Sequence, residues 1–128
     1  YARRGITADC EPFFADLPAR MAAAHLIVSR SGASTVAELS AIGRPALLVP
    51  LPHALDQDQL ANAGVLEGAG GAITVVQSDF TPERLAAELV ALAAAPDRLG
   101  AMAVAARSAG TLDAAERLAD LVMKTAGI

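Results

Sequence analysis

A parallel β-sheet with helices on both faces is the fold class that this 128-residue sequence predicts, and three observations carry it. Largely apolar, strand-like runs of four or five residues begin at Leu26, Ala46 and Ala72. Helix-start and helix-stop signals fall between those runs, and each interval is long enough to hold the crossover helix that parallel strands require. Apolar residues make up 54% of the chain but aromatics only 3%, so alanine carries much of the core and helices pack closely on the sheet. The length suits one domain that buries about two-thirds of its unfolded surface.

The elements follow in order. Tyr1-Ala2-Arg3-Arg4-Gly5 reads as the last turn of a helix, with basic residues before a glycine stop, and suggests a piece of a longer protein. Residues 7–13 are expected as a short strand. A helix over residues 16–24 follows, with Asp16 as N-cap and Pro18 in its first turn. Residues 26–29 form a buried strand, and residues 35–42 a helix stopped by Gly43. Pro45 introduces a strand over residues 46–49, which Pro50 and Pro52 end. Residues 56–67 are helical up to the glycine-rich stretch 68–71, and residues 72–76 make the last strand. Thr81-Pro82-Glu83 opens a helix with leucines at 85, 89 and 92 on one stripe, broken by Pro96. Helices over residues 97–109 and 113–125 complete the chain. This is a Rossmann-like α/β arrangement, in which ligands bind beyond the carboxyl ends of the strands. The turn after Ser29, the proline-rich turn after Val49 and the segment after Phe13 all lie at that edge.

Composition narrows the function. A net charge of −4 with no run of lysines or arginines argues against a nucleic-acid partner. His25, His53 and Cys10 make no metal-ligand cluster, so neither a metal nor a cofactor is expected. A single cysteine excludes a disulfide framework and fits a reducing compartment, with the cytoplasm as default. No run of eighteen apolar residues spans a bilayer. The phosphate-loop lysine motif, the dinucleotide glycine fingerprint and the nucleophile elbow are all absent.

Two constellations carry chemistry. The first is Arg30-Ser31-Gly32-Ala33-Ser34-Thr35 with Glu38, at a strand–turn–helix junction. Small residues there let a ligand approach the backbone, and the helix N-terminus offers free N–H groups to an anion. Gly32 serves either a turn with positive φ or the close approach of a phosphate or sugar. Glu38 either folds back onto Thr35 in a capping box or accepts hydrogen bonds from a ribose diol. The second is His53, Asp58, Gln59 and Asn62 around the next helix start. These residues read either as caps and solvent-facing side chains or as partners for the hydroxyls of a sugar. His53, with no acidic neighbour to orient it, reads more readily as structural than as an acid or base.

Taken in order, Pro12-Phe13-Phe14, the run from Ser29 through Glu38, Gly43-Arg44-Pro45, Val49-Pro50-Leu51-Pro52-His53 and the run from Asp56 through Ala63 resemble the carboxyl-terminal part of the MurG family. These are bacterial N-acetylglucosaminyltransferases of GT-B architecture that act on undecaprenyl-pyrophosphoryl-muramoyl-pentapeptide. The resemblance implies a carboxyl-terminal domain over residues 1–128, truncated at its amino-terminal side, that binds UDP-N-acetylglucosamine. It implies that main-chain groups at Phe14 pair with uracil and that Glu38 holds the ribose. It further implies that Gly32, Ala33 and the helix they start border the diphosphate and that Asp58 and Gln59 take the two sugar-contacting positions. Some relatives carry histidine or glutamine where this chain has Asp58. No catalytic side chain is implied in this part. The lipid-linked acceptor, the general base and a peripheral contact with the cytoplasmic face of the inner membrane belong to an amino-terminal domain. Runner-up readings are the donor half of another UDP-sugar transferase or epimerase of the same fold, or one subunit of a split transferase.

Overall fold

The computed structural model of this chain describes residues 1–53 and 58–127. Helix α1 spans Leu17–Ala23, β1 Ile27–Ser29, α2 Ala33–Ile42, β2 Ala46–Leu48, α3 Asp58–Ala69 and β3 Ala72–Thr74. Three helices follow without a further strand: α4 over Pro82–Ala93, α5 over Pro96–Ser108 and α6 over Ala114–Ala126. The strands lie in the order β1-β2-β3, and both pairings are parallel. All three therefore point their carboxyl ends to one edge, where the turns after Ser29 and Leu48 leave the sheet.

Register and pleat divide the core into two sides. Ile27, Ala46 and Ala72 stand in one row, Val28, Leu47 and Ile73 in the next, and successive rows face opposite ways. Ala46, Leu48 and Ala72 join Met21, Val36, Leu39, Ala63, Leu66 and Ala106, so α1, α2, α3 and α5 cover one face. Leu47, Val49 and Val75 face the other way and meet Ile73, Phe80 and Leu85, the last from α4. That second side is thinner, and Val28 on it remains 42% exposed.

Glycine and arginine settle the joins. Gly43 ends α2 at φ 72°, as its stop position predicted, and Arg107 of α5 donates to the Ala41 carbonyl there. A Cβ at Gly71 would sit 2.6 Å from the backbone of Ala106, so the absence of a side chain is what lets α5 lie against the start of β3.

Most expected boundaries move by one or two residues, and the larger differences bear on the site. No strand forms over residues 7–13, which are irregular and almost wholly exposed; Asp9 and Pro12 disfavour pairing, and Pro12 has no N–H to give. Helix α2 begins at Ala33 rather than at 35, because extended Gly32 (φ −61°, ψ 152°) takes the N-cap position. The last strand stops at Thr74. The expected cap at Asp56 lies outside the described residues.

Candidate functional site

Helix α2 opens directly at the carboxyl edge of β1, and this junction organises the site. The main-chain N–H groups of Ala33, Ser34 and Thr35 precede the first intrahelical bond, from Val36 N–H to the Gly32 carbonyl at 3.0 Å. Among the described residues no side chain caps them, so three donors and the positive end of the helix dipole face outward. At Gly32, φ is negative and an added Cβ would meet nothing within 4 Å. Backbone strain and packing therefore give no reason for a glycine there, which leaves its N-cap preference and the open space above the backbone.

The shifted helix start also decides how Glu38 stands. With Gly32 as N-cap, Thr35 is already inside the helix, and the capping box that would fold Glu38 back does not form. Glu38 is exposed, and among the described residues its carboxylate has no ion-pair partner. It follows Ser34 by four residues and Thr35 by three, so all three share a helix face.

Other sequence-predicted residues build the frame. Ser31 is fully buried, and its hydroxyl donates to the Gln59 carbonyl at 2.7 Å. Asn62 Nδ2 donates to the Ser31 carbonyl at 3.2 Å, and the Leu51 N–H donates to Gln59 Oε1 at 2.9 Å. These three bonds pull the turn after β1, the turn after β2 and the start of α3 into one cluster. Arg30 adds a fourth tie: Nη1 donates to the Val49 and Pro50 carbonyls at 3.1 and 3.2 Å, and Nη2 to Gln77 Oε1 at 2.6 Å. Gln77, which lies just beyond β3, was not legible as part of this edge, since nothing in its local sequence marks a partner 47 positions away.

Asp58 stands in the first turn of α3, where its Oδ1 accepts from the Gln59 N–H at 2.7 Å. His53 is exposed and holds a left-handed backbone at φ 60°, which is uncommon for a residue with a side chain. It lines a cavity of about 270 Å³ with Pro50, Leu51, Pro52, Leu60, Val76 and Gln77. Phe14 is half-buried and its neighbour Phe13 is 80% exposed. The main-chain N–H and C=O of Phe14 make no backbone bond among the described residues. No hydrogen bond among them joins Phe14 to Gly32 or Gln59; α1 holds that segment instead.

The chemistry available is anion binding by the N–H groups of the helix start and hydrogen-bond acceptance by a carboxylate one turn further on. Such an arrangement suits an anionic group at the helix start with hydroxyl-bearing groups beside it.

The family model described as glycosyltransferase family 28 C-terminal domain matches residues 1–118. The chain is 73% identical over 126 residues to the UDP-N-acetylglucosamine--N-acetylmuramyl-(pentapeptide) pyrophosphoryl-undecaprenol N-acetylglucosamine transferase of Nitrobacter hamburgensis, covering 98% of this chain and 34% of that protein. The protein of the same name from Bradyrhizobium sp. strain BTAi1 is 70% identical over 128 residues, covering 100% and 35%. A crystal structure of Acinetobacter baumannii MurG matches with a TM-score of 0.83 at 38% identity, covering 92% of this chain and 35% of that one. The chain thus spans about a third of the length of the relatives it matches.

Proposed function

Since this chain belongs to the glycosyltransferase family 28 C-terminal domain family, we propose that it binds the nucleotide-sugar donor of an inverting N-acetylglucosaminyltransferase. The donor is UDP-N-acetylglucosamine, and the acceptor is undecaprenyl-pyrophosphoryl-muramoyl-pentapeptide, as the names of its relatives indicate. On this reading the 4-hydroxyl of the muramoyl sugar attacks the anomeric carbon from the face opposite the diphosphate. The carbon–oxygen bond to UDP breaks as the new one forms, and the hydroxyl proton passes to a base outside this chain. The reaction belongs to peptidoglycan assembly, at the cytoplasmic face of the inner membrane where the lipid-linked acceptor is presented.

The single observation that carries the proposal is the start of α2, uncapped among the described residues, beside a carboxylate on the same helix face that has no ion-pair partner among them. The N–H groups of Ala33, Ser34 and Thr35 receive the diphosphate, and the helix dipole favours the charge that grows on it as the bond to the sugar breaks. Glu38 accepts from the two ribose hydroxyls. Main-chain groups at Phe14 pair with the uracil edge, and the exposed ring of Phe13 offers a stacking face beside it. Asp58, Gln59 and His53 border the sugar. Arg30, Ser31 and Asn62 act through the frame, holding the turns at the distances quoted above.

Titrating UDP against the Glu38→Ala variant of the protein as its gene encodes it tests this. A hydrogen bond to a charged acceptor contributes about 1.5–3 kcal/mol, so losing the equivalent of even one of the two weakens binding about 10- to 150-fold. Wild-type affinity in the variant would remove Glu38 from the site.

A further inference from the structure

Phe14 enters the donor reading through its main chain, and no regular structure fixes that main chain. Residues 6–14 form neither helix nor strand. The backbone bonds nearest the segment lie at its two ends, from Ile6 N–H to the Tyr1 carbonyl and from Arg20 N–H to the Asp16 carbonyl. What spans the interval is one side chain of α1. Arg20 Nη1 donates to Asp9 Oδ2 at 2.5 Å, and its Nε donates to Asp16 Oδ1 at 2.8 Å. The centre of the same guanidinium lies 4.2 Å from the centroid of the Phe14 ring. Two edges of one planar group thus hold carboxylates on either side of Phe14, and its flat face holds the ring between them.

We infer that Arg20 is the positioning residue for the nucleobase: it sets where the Phe14 main chain meets the edge of the base, and so sets the preference for uracil. This rests on the donor reading above. A uracil edge presents an acceptor oxygen where cytosine presents a donor amine, and a single residue's N–H and C=O tell the two apart only when the backbone is held at hydrogen-bond distance and angle. Arginine suits the task because it alone combines a rigid fork of donors with a face that stacks on an aromatic ring. Lysine keeps the charge but reproduces one contact at a time.

The test measures affinity for UDP and for CDP in the full-length protein carrying Arg20→Ala, Arg20→Lys or Glu38→Ala, with melting temperature as the folding control. Arg20 is 42% exposed, so its truncation leaves the melting temperature within a degree or two. Exposed ion pairs and cation–π contacts are individually modest; together they give about a fivefold loss of UDP affinity in Arg20→Ala, little change for CDP, and partial recovery in Arg20→Lys. Unchanged UDP affinity and discrimination in Arg20→Ala, alongside weakened binding in Glu38→Ala, would overturn this inference and leave the donor site standing. Equal losses for UDP and CDP would overturn it too, since a merely structural role predicts that pattern. If Glu38→Ala also binds UDP normally, the donor reading itself fails.

Discussion

Replacing Gly32 by alanine separates the needs of the fold from the needs of a ligand. The backbone at Gly32, φ −61° and ψ 152°, suits any residue, and a Cβ there meets no heavy atom within 4 Å. Restricting the unfolded chain stabilises such a site by about 0.4–1 kcal/mol, and a poorer N-cap than glycine costs about as much. Folding stability therefore changes by less than about 1 kcal/mol. A diphosphate lying on that backbone has no such latitude. Overpacking a formed contact costs about 1–3 kcal/mol, which at 1.4 kcal/mol per tenfold is roughly a 5- to 150-fold loss of affinity. Calorimetric titration with UDP reads the binding, and urea denaturation reads the stability. Normal UDP affinity in Gly32→Ala would refute the claim that the open space belongs to the ligand, and a large fall in stability would show the glycine to be structural.

Two further outcomes follow from packing and charge. Gly71→Ala places a Cβ within 2.6 Å of the Ala106 backbone, so α5 must shift off the sheet; about 1–3 kcal/mol of stability is lost, and an unchanged urea midpoint would contradict the close seating of α5. The Arg20 guanidinium that bonds to the Asp16 carboxylate holds it below the usual aspartate range. Because the folded value is depressed, this tie is present above the unfolded aspartate value and is lost as the pH falls through the folded one. In Arg20→Ala the Asp16 carboxyl titrates at its ordinary position in a carbon-detected NMR titration; an unmoved titration would mean that Arg20 is not its partner in solution.

Much of this fold was legible because its signals are local. The strands at Ile27, Ala46 and Ala72 are short apolar runs, Gly43 stops α2 where a left-handed residue is needed, and Thr81 caps α4 by accepting from the Arg84 N–H. Residues 7–13 misled because Thr7 and Phe13 are strand-forming types, and Asp9 and Pro12 between them outweigh that preference. At the site, the residue types of the turn after β1 were readable, but the division of labour was not. Ser31 and Asn62 carry the same polar groups whether they meet a ligand or the protein's own backbone, and only the fold reveals the bonds to Gln59 and Ser31. Glu38 is the converse case. A capping box and a ribose site share one local pattern, and a two-residue shift in the helix start, set by extended Gly32, removes the first.

A crystal structure with UDP-N-acetylglucosamine bound tests the donor site most directly. The diphosphate is expected on the N–H groups of Ala33, Ser34 and Thr35, with both ribose hydroxyls within about 3 Å of the Glu38 carboxylate. A nucleotide seated away from this helix start, with Glu38 turned onto its own backbone, would contradict it.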